Sequence, residues 1–201
     1  KIAILTSLVC GHQVDFEEIH TEGITEITAV DIRYAKAMNR AVKLLATSRK
    51  AGDSYYAIVA PFLLTNKHPL YNVNDVFNAI FVRGNVLGEA MFYGQGAGKL
   101  PTASAVVADI VDIAKHLHRY IMTFWSSRKL ELVDYKLGAG RYFFRTSDSE
   151  AAVEAAFGAV EFIHLPDVPG EMGVLTGKMT ESEYEEKSKK LEHVIKMIRA
   201  E

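Results

Sequence analysis

Cysteine is almost absent from this chain of 201 residues. Cys10 stands alone, which excludes an internal disulfide and fits a reducing, cytosolic setting. There is no run of about 18 apolar residues, so no membrane span is expected. Neither sign of charge dominates. The formal net charge of -2 leaves no bulk pull toward nucleic acid or an acidic membrane. No internal repeat or low-complexity tract is visible. No histidine or carboxylate spacing fits a transition-metal site, so no metal is expected. The opening lacks an initiator methionine, a signal-peptide charge pattern and a helix cap. Ile2, Leu5 and Val9 recur at helical spacing with Leu8 beside them. A helix already under way at Lys1 predicts the C-terminal piece of a longer protein.

What is present is an ordinary globular composition, 49% apolar and 24% charged, long enough for one sizeable domain or two small ones. After the first helix, residues 11–28 read as polar and irregular. "TAVDIRYAKAMNRAV" predicts a helix with Thr28 and Asp31 as a capping box. "AVKLLATSRK" and "SYYAIVAPFLL" predict a hairpin across "AGD", and "NAIFVRGNVLGEAMFYG" predicts a second one turning at Gly84-Asn85. These four strands predict a largely antiparallel sheet with helices on one face, an α+β arrangement. A long helix is expected from Pro101, at its first position, through Val106, Ile110, Ile113, Leu117 and Tyr120 to Phe124.

Residues 126–140 read as a linker. From Arg141 the order βαββαβ predicts a small ferredoxin-like unit. Its first helix is expected to be capped by Ser147 with Glu150, and its second by Thr180 with Glu183, with Met179 stapled onto Tyr184. The expected domains are 1–134 and 135–201. The second is small for an independent core, so docking or pairing is expected of it.

One stretch invites chemistry. "FYGQGAGKLPTASAVVADIVDIA" leads three alternating glycines, Gly94, Gly96 and Gly98, into a helix. Glycine allows close approach to backbone, and a helix start offers free N–H groups and partial positive charge. Such a turn suits a pyrophosphate, a carboxylate or a nicotinamide amide; it serves equally as a tight strand-to-helix connection without a ligand. It is not the dinucleotide fingerprint, which needs G-x-G-x-x-G within a βαβ unit.

"EGITEIT", "HPLYNVNDVFNAIFV" and this glycine stretch, in that order and spacing, resemble homoserine dehydrogenase from Lys1 to about Ala114. Family members join an N-terminal Rossmann domain, a substrate domain and, often, a C-terminal ACT domain. They interconvert L-homoserine and aspartate 4-semialdehyde with NAD or NADP, in threonine, methionine and isoleucine biosynthesis. The resemblance implies that this chain holds the last two parts, and that the nucleotide is bound mainly by a domain ahead of Lys1. It implies that Gly94, Gly96, Ala97 and Gly98 line the nicotinamide end of the cleft. It also implies that Lys1 is the proton donor and acceptor at the substrate oxygen. Taken alone, a terminal lysine reads as a solvated surface residue. The family's aspartate one helical turn earlier, and its acidic residue for the substrate amino group, would precede residue 1.

The resemblance further implies a cytoplasmic homodimer and an isolated chain that is catalytically silent. The C-terminal unit is ACT-like in element order only. "SDSE" occupies the turn where many ACT domains carry a D-x-P-G-type sequence, and "DVPG" lies at Asp167–Gly170 between the second and third strands. That departure puts an amino-acid effector in doubt and leaves a docking role. A non-catalytic regulatory or assembly module is the alternative reading of the whole chain. His68, before a proline, is expected to fix its loop rather than react, and Cys10 to belong to the core. The basic residues His116, His118, Arg119, Arg128 and Lys129 are expected to form a solvated face.

Overall fold

In the computed structural model, residues 1–122 and 126–201 are described. They form two compact units. One holds Lys1–Asn66 together with the residues from Ser126 onward; the other runs from Lys67 to Met122. Each is treated by itself.

The larger unit begins with helix α1 (Ile2–Cys10), which Gly11 ends in the left-handed conformation at φ 72°. The segment expected to be irregular holds two short strands, β1 (His12–Gln13) and β2 (His20–Thr21), around a single 3-10 turn. Helix α2 (Ala29–Ala37) starts at the expected capping box. Asp31 Oδ2 accepts from the Thr28 N–H at 2.7 Å, and Thr28 Oγ1 accepts from the Asp31 N–H at 3.3 Å. The helix stops short of "NRAV" because Asn39, at φ 53°, turns the chain into the hairpin β3 (Arg40–Ala51) and β4 (Ser54–Thr65).

Strands β5 (Phe77–Gly84) and β6 (Gly88–Gln95) and helix α3 (Lys99–Lys115) make up the smaller unit. The expectation that four hairpin strands share one sheet is corrected here. Among the described residues, β5 and β6 pair only with each other, while β3 and β4 belong to a different, eight-stranded sheet. Helix α3 also differs from expectation. It starts at Lys99, so Pro101 is its third residue, and it ends at Lys115, where His116 N–H bonds to the Ile113 carbonyl. Phe124, the expected end, lies outside the described residues.

The chain returns to the larger unit with β7 (Ser126–Lys129), which runs parallel to β1 where a linker was expected. Then follow β8 (Ala139–Thr146), α4 (Glu150–Phe157), β9 (Glu161–Ile163), β10 (Met172–Leu175), β11 (Met179–Thr180), α5 (Glu181–Ser188) and β12 (Val194–Ala200). Leaving out the two-residue β11, this is the expected βαββαβ order. Its strands lie β12-β8-β10-β9 in the sheet, the ferredoxin-like arrangement. The Thr180–Glu183 capping box of α5 is present. At α4 the cap is Ser149, whose hydroxyl accepts from Ala152 N–H, and not Ser147. Ser147 instead bonds through its own N–H to the His193 carbonyl at 3.4 Å.

The two halves of the larger unit share one sheet and one core. One edge of β4 is covered by β3 along its length. The other edge is used twice in succession: β2 pairs parallel at Ile58 and Val59, and β12 pairs parallel at Phe62 and Leu63. Successive residues of β8 point to opposite faces. Tyr142 and Phe144 enter a core with Val153, Phe157 and Tyr184. Phe143 enters a second core with Tyr34, Leu63, Leu175 and Ile198. The second core therefore joins α2 and β4 to the C-terminal strands. Tyr34 packs this closely because Gly173 has no side chain. A Cβ there would lie 2.8 Å from Tyr34 Cδ1 and 2.7 Å from Phe143 Cε2.

Two buried arginines complete the seam. Arg145 on β8 meets Asp31 on α2 at 2.8 Å and grips Glu171 with two further bonds at 2.9 and 2.7 Å. Arg199 on β12 is clamped by Glu181 and reaches Glu22 at 2.8 Å. Burial works to raise the Glu22 carboxyl. The bonds and charge of Arg199 and His20 outweigh it and hold the group below the usual carboxylate range.

Candidate functional site

The glycine turn lies in the smaller unit, at the exit of β6. Gly94 is still in the strand, opposite Asn78. Gly96 donates its N–H to the Val76 carbonyl at 3.2 Å, and the Asn78 side chain occupies the place a Cβ would take there. Gly98 is the N-cap of α3 at φ 115°, a conformation that side chains disfavour. It offers no side-chain cap. The N–H groups of Lys99 and Leu100 precede the first intrahelical donor, Thr102, which bonds to the Gly98 carbonyl at 3.2 Å. Pro101 contributes no N–H at all. The helix thus begins with exposed, uncapped donors, and Gly94, Gly96, Ala97 and Gly98 are all exposed beside them.

Lys1 lies in the larger unit, as the N-cap of α1. Its carbonyl accepts from the Leu5 N–H at 3.1 Å, and its exposed side chain makes no ion pair or hydrogen bond with another described residue. The buried face of α1 is Ala3, Thr6 and Ser7, not the expected apolar stripe; Leu8 and Val9 are exposed. The two hydroxyls bury because each donates to the carbonyl one turn back, Thr6 to Ile2 at 2.8 Å and Ser7 to Ala3 at 2.9 Å. Ser7 Oγ also accepts from Val14 N–H at 2.9 Å.

The remaining candidates have structural partners. His68 Nδ1 accepts from Leu70 N–H at 3.1 Å, and the ring sits edge-on to Phe81. Cys10 packs against the Ala3, Val14 and Ile19 cluster. Of the basic residues, His116 donates its Nδ1–H to the Asp112 carbonyl at 2.8 Å, and Lys129 pairs with Glu18. His116, His118 and Arg119 belong to the smaller unit, while Arg128 and Lys129 belong to the larger. Among the described residues, no group of three or more His, Cys, Asp or Glu side chains could hold a metal. No described helix is long and apolar enough to cross a membrane.

The "SDSE" turn is committed internally. Asp148 accepts from the Thr146 hydroxyl at 2.7 Å and from the His193 and Glu192 N–H groups at 3.0 and 3.3 Å. Burial acts to raise its pKa, but these three bonds prevail and hold the carboxyl below its usual range. "DVPG" supplies Asp167, which pairs with Arg33 on α2.

Comparison with known proteins adds a lineage. The family model described as homoserine dehydrogenase matches residues 1–111. The homoserine dehydrogenase of Synechocystis sp. is 48% identical over 117 residues, 56% of this chain and 27% of that protein. That of Bacillus subtilis is 41% identical over 117 residues, 58% of this chain and again 27% of the relative. The crystal structure of a homoserine dehydrogenase from Thiobacillus denitrificans superposes with a TM-score of 0.85 at 26% identity, covering 100% of this chain and 52% of that one. The chain therefore spans about a quarter of the curated relatives aligned to it, and about half of the solved one.

Proposed function

Since this chain belongs to the homoserine dehydrogenase family, we propose that it supplies the substrate-side half of a dehydrogenase cleft, interconverting L-homoserine and L-aspartate 4-semialdehyde with NAD or NADP. The observation that carries the reading is the start of α3: exposed, entered through Gly98 at φ 115°, and uncapped. Small residues at positions 94, 96, 97 and 98 keep the approach to those N–H groups open. They fit the carboxamide edge of a nicotinamide, whose carbonyl oxygen accepts where the helix leaves donors free.

A nicotinamide held at the Gly94, Gly96, Ala97 and Gly98 turn would supply the hydride acceptor for the alcohol and the hydride donor for the aldehyde. The chain's own part is proton handling and orientation. In the oxidative direction the Lys1 amine takes the hydroxyl proton as the C–H bond breaks; in the reductive direction its ammonium protonates the developing alkoxide. Lys1 is suited to this because no carboxylate of the described residues engages it. The main nucleotide-binding surface, and any acidic residue for the substrate ammonium, are assigned to the Rossmann part that the family carries and this chain does not match. The 201 residues alone are accordingly proposed to be inactive. We assign residues 1–134 to the substrate part and 135–201 to docking or regulation, in a homodimer. The internal use of Asp148 argues against an amino-acid effector at the "SDSE" turn.

The test is reduction of NAD or NADP with L-homoserine by the full-length protein. Activity is expected, with kcat/KM falling by about 10²–10⁴ for Lys1→Ala. Absence of any L-homoserine-dependent reduction, or full rate in the variant, would leave the non-catalytic module as the reading.

A further inference from the structure

Strand β5 carries Asn78 directly opposite Gly94 on β6, so the two side-chain positions share one face of the hairpin. Gly96 continues the same register past the end of β6. Its N–H reaches the Val76 carbonyl at 3.2 Å. Asn78 Nδ2 donates to that same carbonyl at 3.3 Å. One oxygen thus receives two donors, one from the turn and one from the Asn78 carboxamide, which uses both of its lone pairs. Among the described residues, the Gly96–Val76 bond is the last backbone hydrogen bond of the hairpin before α3 begins.

The carboxamide reaches this place because Gly96 leaves it vacant. A Cβ at Gly96 would lie 2.7 Å from Asn78 Cγ, and closer still to Nδ2. The three glycines of the turn are therefore small for three different reasons. Around Gly94 nothing lies within 4 Å of an added Cβ, so that side stays open. Gly98 is held at φ 115°, where backbone conformation is what requires glycine. Gly96 is not in the left-handed region, and what requires glycine there is the Asn78 side chain.

From this we infer that Asn78 is a positioning residue of the cofactor cleft, and that Gly96 is there to admit it. The inference rests on the reading that the turn faces the nicotinamide. Asn78 acts through the turn. It shares the Val76 carbonyl with Gly96 and fills the space beside it, which holds the chain against β5 just before Gly98. That fixes where the free N–H groups of Lys99 and Leu100 point. Without the carboxamide the turn keeps one bond and loses its side support, and a small displacement of donors is enough to weaken a ligand they orient.

A double-mutant cycle in the full-length protein tests it, read by the Kd of NADH and NADPH from nucleotide fluorescence and by steady-state kinetics. Asn78→Ala removes the support; Gly96→Ala fills the vacancy and displaces the carboxamide. Each is expected to raise the Kd of the nucleotide that the parent binds by about tenfold. The double variant is expected to lose no more than about tenfold in all, since both changes remove one contact. KM for NAD or NADP rises with Kd, while KM for L-homoserine stays at the parent value. Asn78 is exposed, so its variant is expected to melt within about 2 °C of the parent. The inference is overturned if Asn78→Ala keeps Kd within about twofold of the parent, or if the two effects multiply to about a hundredfold in the double variant. It is also overturned if Asn78→Ala lowers the melting temperature and KM for both substrates changes together, the mark of a merely structural role. A parent that binds neither nucleotide removes the cleft reading and this inference with it; a parent that binds, with an unaltered Asn78→Ala variant, removes this inference alone.

Discussion

Arg145 on β8 and Asp31 on α2 lie 114 positions apart and meet at 2.8 Å, with Asp31 fully buried. Asp31 serves two elements at once: one oxygen closes the cap of α2, and the other receives Arg145. Removing it leaves a buried guanidinium short of one partner and a helix start uncapped. Asp31→Ala is expected to destabilise the larger unit by about 3–5 kcal/mol, measured as a fall in the urea midpoint at unchanged m-value. Thr28→Ala touches the cap and only a 3.3 Å bond to Arg145, and is expected to cost about 1 kcal/mol.

Gly173→Ala drives a methyl group into Tyr34 and Phe143, neither of which is exposed. The expected cost is about 1–3 kcal/mol. Gly177→Ala is the matched control, since nothing lies within 4 Å of its added carbon; it is expected to stay within about 0.5 kcal/mol of the parent. Equal melting temperatures for the two variants would refute the packing account of Tyr34.

At the turn before α3, Gly98→Ala meets backbone strain at φ 115°, expected to cost about 1–3 kcal/mol. Gly94→Ala meets no atom within 4 Å and carries no such strain. If the turn faces the cofactor, Gly94→Ala in the full-length enzyme raises KM for NAD or NADP while leaving the thermal midpoint unchanged. An unaltered KM would remove Gly94 from the cofactor surface.

The depressed Asp148 carboxyl links stability to acid. Its folded pKa lies below the unfolded value of about 3.9. The stabilisation is therefore complete above that value and is lost as pH falls through the lowered folded pKa. Asp148→Asn is expected to flatten this part of the acid-unfolding curve while lowering stability at pH 7. An unchanged slope below about pH 4 would show that the Thr146 and His193 bonds do not act on its ionisation.

What could be read from the residue order was what neighbours decide among themselves. Thr28 with Asp31, and Thr180 with Glu183, are capping boxes because both partners lie within one turn. Ser147 with Glu150 spells the same pattern, yet Ser149 wins, since Ser147 is drawn to the His193 carbonyl 46 positions away along the chain (193 less 147). The βαββαβ order was legible from alternating periodicity. That β12 would run beside β4 was not, because no local pattern selects between partner edges. Helix α3 keeps its apolar spacing past Lys115, so nothing local announced its stop. At the candidate site the glycines were visible, but Gly98 as the N-cap was not, since Pro101 pointed to a start two residues later than Lys99.

The divided edge of β4 bears on how this architecture can be recombined. Because Phe62 and Leu63 take their neighbour from the last strand, the ferredoxin-like segment is not an interchangeable cassette. A chimaera joined after residue 134 would have to bring its own equivalents of Arg199, for Glu22, and of Phe143, for Tyr34, or leave half a strand unpaired and a carboxylate stranded. Inheritance of the two segments as one piece is the outcome that such interlocking favours.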